Sequence, residues 1–191
     1  MIIIFQQSRW FFEEFSKIFE ANSEYLQQAT QSYQHNTEFT NFIIERINQI
    51  IKSRGWVAQN EYFRIDAMGY RSHYKDLEKI SGFNQHLWDL EIAVEHENDK
   101  KDWLDEVIKL AHICCPLRVV IGYVPIEKRS EEQMLLDYAA DALKRLKSAD
   151  NVTRGEFMII FGNSNTKGNV EKYFNYQAYI LNAETFKFEK L

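Results

Sequence analysis

The stretch LEIAVEHEND, residues 90–99, opens as an alternating apolar strand and closes on Glu95, His96 and Glu97. Strand alternation puts Glu91, Ala93, Glu95 and Glu97 on one face, and Leu90, Ile92, Val94 and His96 on the other. Two carboxylates at i and i+2 near a strand end then point the same way, roughly 7 Å apart along the strand. Left uncompensated, buried like charges raise a pKa or fray the strand. A hard divalent cation removes the conflict, because it accepts one or two carboxylates and keeps several waters.

Working outward, Asp99 can cap a helix over residues 100–113, where Trp103, Leu104, Val107, Ile108 and Ala111 recur at helical spacing. Residues 117–124 are nearly continuously apolar, as expected of a strand in a sheet covered on both faces. A long helix over residues 130–147 follows, then strands at 157–162 and 176–181 around a turn-rich segment. Upstream, residues 62–70 alternate with a period near two and read as a strand or hairpin arm. Residues 71–86 are polar and mixed, a loop with a short helix. Before Gly55, the pattern is helical twice. Residues 8–34 carry an apolar stripe that includes Trp10, Phe11, Phe15 and Phe19. Residues 37–54 carry Phe39, Ile43, Ile47, Ile50 and Ile51, with polar cap residues around His35, Asn36 and Thr37. Glu38 and Glu45 project opposite this second stripe.

This order defines an α/β fold with a mixed central β-sheet flanked by helices. Residues 1–35 form an N-terminal helical extension, and residues 36–191 a single α/β domain. The 191 residues are 45% apolar and 15% aromatic, which excludes a disordered chain. A formal charge of -5 excludes a chain-wide basic surface, though a local one can exist on an acidic protein. The two cysteines are neighbours, Cys114 and Cys115, a spacing that disfavours a disulfide and points to reduced thiols. No apolar run approaches the roughly 20 residues that span a bilayer, and residues 1–5 are too short for a signal segment. A soluble, cytoplasmic protein is the expectation.

A third carboxylate, Asp66, stands in an otherwise apolar strand and meets Glu95 near the sheet edge if the two strands pair. Asp66 on one strand, Glu95-x-Glu97 ending the next, then a helix and an apolar strand, resembles the PD-(D/E)XK nuclease superfamily. Its core is a helix, a three-stranded meander, a helix and a fourth strand, here residues 37–124. The resemblance implies a restriction-endonuclease-like fold that hydrolyses DNA with Mg²⁺ or Mn²⁺. Asp66, Glu95 and the main-chain carbonyl of His96 would be the metal ligands. Ile65 stands where the family often has proline, and Glu97 takes the place of the motif lysine, as in some type II restriction enzymes. Lys109 on the following helix is the natural substitute; Lys100 and Lys101 are less well placed. Glu97 would bind a second metal or orient the attacking water, and Glu45 or Glu61 could echo an upstream acid of some family members. Chain size suits a homodimer in which each protomer cuts one strand. The alternative function is a catalytically inactive nuclease-fold module for binding or assembly.

Other motifs have ordinary explanations. His96, His112, Cys114 and Cys115 lack the two spaced pairs of a zinc site, and the cysteines read as core thiols. Residues 162–168 lack the Gly-Lys-Ser/Thr ending of a phosphate loop and read as hairpin chemistry. Trp10, Phe11 and Phe12 read as core or a dimer surface.

Overall fold

The structure is a computed structural model that describes residues 6–20, 23–32, 36–71, 89–98, 102–164 and 174–191. The expected short helix within residues 71–86, the Asp99 cap, Lys100, Lys101 and most of the 162–168 loop lie outside them.

Seven strands lie side by side in chain order: β1 (Val57–Tyr62), β2 (Ile65–Tyr70), β3 (Leu90–His96), β4 (Leu117–Pro125), β5 (Glu156–Ser164), β6 (Gln177–Asn182) and β7 (Lys187–Lys190). Strands β1, β2 and β3 pair antiparallel, β3 to β5 parallel, and β5 to β7 antiparallel. The two parallel steps need crossovers, and helices supply them. The first is α4 (Trp103–Ala111). The second is a 3₁₀ turn (Ile126–Glu131) with α5 (Glu132–Arg145) and α6 (Ala149–Val152).

Helices cover both faces of the sheet. On one, α1 (Gln6–Lys17) and α3 (Asn36–Ser53) bury Phe11, Phe15, Ile43, Ile47 and Ile51 against Ile92, Val94, Val119, Ile121, Met158 and Ile160. On the other, α4 and α5 bury Trp103, Val107, Leu110, Leu136, Ala139 and Leu143 against Ala93, Val120, Phe157, Ile159 and Phe161. Double coverage is why β4, apart from the buried Arg118, reads as a nearly continuous apolar run rather than an alternating one. The core position of Phe11 settles the role of that aromatic, while Trp10 and Phe12 pack at the same core's margin.

Three local differences from the sequence reading have plain causes. The first helical stretch is divided into α1 and α2 (Leu26–Ser32), because the chain tightens after α1 with Ile18 and Phe19 bonding back three residues. Phe11 and Phe15 of α1, in the segment set apart as an extension, are fully buried in the sheet's own core. The Glu156 carboxylate at the start of β5 also accepts the Ser8 backbone N–H at 2.8 Å, where the positive end of the helix dipole favours an anion. Strand β1 went unread because Gln59, Asn60 and Glu61 give an edge strand, exposed on one side, no apolar alternation. Gly55, at φ 76°, accepts the left-handed turn that ends α3 before β1.

The neighbouring cysteines are both free, but only Cys115 is the core thiol expected; Cys114, past the end of α4, is exposed. Burial pushes the Cys115 thiol up to about 12, and its Sγ donates to the Leu117 carbonyl at 3.2 Å. Iodoacetamide at pH 8 is therefore expected to label Cys114 alone in the native protein. Cys115 should react about 10³-fold more slowly than an ordinary thiol, and fully only after denaturation. Peptide mass spectrometry checks this; rapid native labelling at Cys115 contradicts the packing. No helix among the described residues is long and apolar enough to cross a membrane.

Candidate functional site

The site lies where β2 begins and β3 ends. Antiparallel pairing sets Ala67 across from Val94, and one step further along that register Asp66 stands across from Glu95. Strand β1 continues the sheet beyond β2, so the acids sit at strand ends inside the sheet rather than on its edge strand. Asp66 Oδ2 accepts the backbone N–H of His96 at 2.8 Å, tying the two strand ends together.

Glu95 is only 1% exposed. Burial is the largest force on its carboxyl, with repulsion from Asp66 and Glu106 added and the Lys109 ammonium opposing; the result pushes its pKa up to about 8. Parity explains the Lys109 contact. Ala93, two residues before Glu95, belongs to the core face that α4 covers, and α4 delivers Lys109 to that same face. Its Nζ lies 2.8 Å from Glu95 Oε1, pairs with Glu106 one turn earlier, and donates to the Arg64 carbonyl at 2.9 Å. Burial pulls Lys109 down, but the two carboxylates outweigh it and hold the ammonium above its ordinary value.

His96 faces the opposite core. Its Nε2 lies 2.7 Å from the Tyr123 hydroxyl, and its ring meets Phe39 edge-on. Burial pushes the imidazole down to about 3, so it stays neutral and only its main chain belongs to the acid pair. Glu97 follows the strand, half-buried, and its N–H extends the parallel ladder to the Ile121 carbonyl.

Asp66 opens onto a cleft of about 280 Å³ between α3 and the β1–β2 hairpin. Thr40, Asn41, Glu45, Asn48, Asn60 and Glu61 line it as well. Glu45 projects away from the apolar stripe of α3, as its spacing requires, and that outward side borders the same cleft as Asp66. Of the residues singled out from sequence, Asp66, Glu95, Lys109 and the His96 main chain come together. Glu106 and the Arg64 carbonyl were missed. The Glu106–Lys109 spacing of three on one helix face was the available signal for the first; nothing in the sequence marks a carbonyl.

Among the described residues, no three His, Cys, Asp or Glu side chains gather into a metal-binding group. Two carboxylates with a main-chain oxygen suit Mg²⁺ or Mn²⁺, which retain waters. Glu95 Oε1 faces the Lys109 ammonium at 2.8 Å, so a cation bound there would share the carboxylate with that lysine.

The class of protein thus defined is an α/β protein with a mixed seven-stranded sheet and an acid pair served by a helix-borne lysine. No family model, curated protein or solved structure matches the chain.

Proposed function

We propose that this protein is a metal-dependent nuclease of the PD-(D/E)XK type that hydrolyses DNA phosphodiester bonds. The observation that carries the reading is the Lys109 ammonium 2.8 Å from the buried Glu95 carboxylate, beside Asp66. A lysine at that point answers the main departure in the motif, the glutamate at 97. Also in support is the run α3, β1, β2, β3, α4, β4, with an antiparallel meander followed by a parallel strand.

Asp66, Glu95 and the His96 carbonyl would hold Mg²⁺ or Mn²⁺. Such an ion, when bound, polarises a phosphate oxygen and lowers the pKa of a bound water. Asp66 and Glu95, as its ligands, would set where that ion sits relative to the sheet. Lys109 offers its positive charge to the phosphate oxygens as negative charge builds there. Glu97, beyond the end of β3, orients the attacking water. A homodimer, each protomer cutting one strand, suits the size of the chain.

The test is incubation of the purified protein with plasmid and single-stranded DNA at neutral pH, with Mg²⁺, Mn²⁺ or EDTA. Cutting is expected with either metal and none with EDTA. Asp66→Ala should lower the rate by about 10²-fold or more. DNA left intact with both metals refutes the reading and leaves a non-enzymatic binding module; DNA cut equally well by Asp66→Ala refutes it by placing cleavage away from this acid pair.

A further inference from the structure

The hairpin that enters the site has an unusual turn. Tyr62 pairs with Ile65, leaving a two-residue loop of Phe63 and Arg64. Both have positive φ, 52° and 62°, and Glu61 before them has φ 51°. Positive φ at both loop positions is the geometry that Asn-Gly fills at little cost, whereas a bulky side chain there is strained. Phe186, in the β6–β7 turn, is also at positive φ, but it packs against the second core and recovers the cost by burial. Phe63 recovers nothing of that kind, being 67% exposed. Its ring stands edge-on to Tyr62, with centroids 4.5 Å apart, and Tyr62 packs on the second core behind it.

The turn is also locked to the acid pair. The Arg64 carbonyl is the one that accepts the Lys109 ammonium, and Asp66 follows two residues later. Phe63 Cα therefore lies within about 10 Å of Asp66 Cα along the chain. Backbone strain held by surrounding structure clusters where substrates are gripped. An exposed aromatic ring with a rigid backing is a stacking surface for a base, and the exposed Arg64 beside it is a phosphate partner.

We infer that the Phe63–Arg64 turn grips the nucleic acid next to the scissile phosphate: Phe63 stacks on an unpaired or extruded base and Arg64 pairs with the adjoining phosphate. This rests on the nuclease reading above, and it names the substrate class as DNA that is single-stranded or distorted at the cut. A paired base has both faces covered by its neighbours and offers Phe63 none.

The experiment compares Mg²⁺-dependent cleavage of a fully paired oligonucleotide duplex with the same duplex carrying a central unpaired bulge. Wild type should prefer the bulged substrate. Phe63→Ala should raise KM on it about tenfold with kcat little changed, and Phe63→Trp should keep wild-type KM, because any aromatic face stacks. The double variant Phe63→Asn with Arg64→Gly should melt on the order of 3 °C higher, as the turn relaxes, while losing the preference. Wild-type KM in Phe63→Ala, or loss of affinity in Phe63→Trp as large as in Phe63→Ala, overturns the inference and leaves the nuclease reading standing. A wild type that cuts neither substrate overturns both.

Discussion

Glu95→Gln is expected to abolish metal-dependent cleavage, by about 10³-fold, while making the metal-free protein more stable at alkaline pH. Both effects follow from one burial. Folding carries the Glu95 carboxyl from an ordinary 4.5 to about 8, because its charge is shut away from water beside Asp66 and Glu106 and only Lys109 opposes them. A raised pKa means that the folded state prefers the proton. The resulting stabilisation is complete below pH 4.5 and is lost progressively as the pH rises through 8. Each unit of such a shift is worth about 1.4 kcal/mol, so the loss across this window is on the order of a few kcal/mol. Glutamine carries no charge at either end and lacks this slope. In the wild type, Mg²⁺ should reverse the loss by favouring the ionised carboxylate, raising the melting temperature more at pH 8 than at pH 5. Thermal melts at pH 5, 7 and 9, with Mg²⁺ or EDTA, check this. Equal pH slopes for wild type and Glu95→Gln, or the same Mg²⁺ response in both, would show that Glu95 is not the group that a cation neutralises.

The sequence made Glu95 conspicuous for the reason that it is chemically useful. Two carboxylates at i and i+2 at the end of an apolar strand need a compensating partner, and strand parity alone already placed Glu95 on the face opposite His96. The same logic found Asp66, the one acid in an apolar strand. It also placed β4, where double burial removes alternation altogether. It failed for β1, since an edge strand bearing Gln59, Asn60 and Glu61 carries no periodic signal, and for β7, which is only four residues long. The positive φ of Phe63 was hidden too, because Phe-Arg carries none of the Asn-Gly composition that marks such turns. Lys109 was legible only through the resemblance. One lysine among several on an amphipathic helix has no sequence mark that says it reaches across to a strand. Docking α4 on the face that includes Ala93 and Glu95 fixes it there.

Lys109 therefore carries the second large expected effect. It pairs with Glu95, with Glu106 and with the Arg64 carbonyl, so one ammonium offsets the buried carboxylate and fastens α4 to the β1–β2 hairpin. Lys109→Ala should lower kcat by 10²- to 10³-fold, roughly the cost of removing one preorganised group that stabilises charge. It should also lower metal-free stability, because Glu95 keeps the repulsion of Asp66 and Glu106 without its counter-charge. Lys109→Arg should recover stability better than turnover, since a planar guanidinium does not reproduce a compact point charge. The decisive variant restores the lysine from the other side. Glu97 lies two residues beyond Glu95, where strand alternation returns a side chain to the same side. Glu97→Lys added to Lys109→Ala is expected to regain at least about tenfold of the lost kcat, because a new ammonium can reach the charge that Lys109 served. Cleavage kinetics of the two single variants and the double variant read this directly. If Glu97→Lys alone keeps the wild-type kcat and the double variant binds Mg²⁺ yet stays as slow as Lys109→Ala alone, Lys109 is a structural clamp for the hairpin. The ammonium would then have no part in turnover, and the glutamate at 97 would again need an explanation of its own.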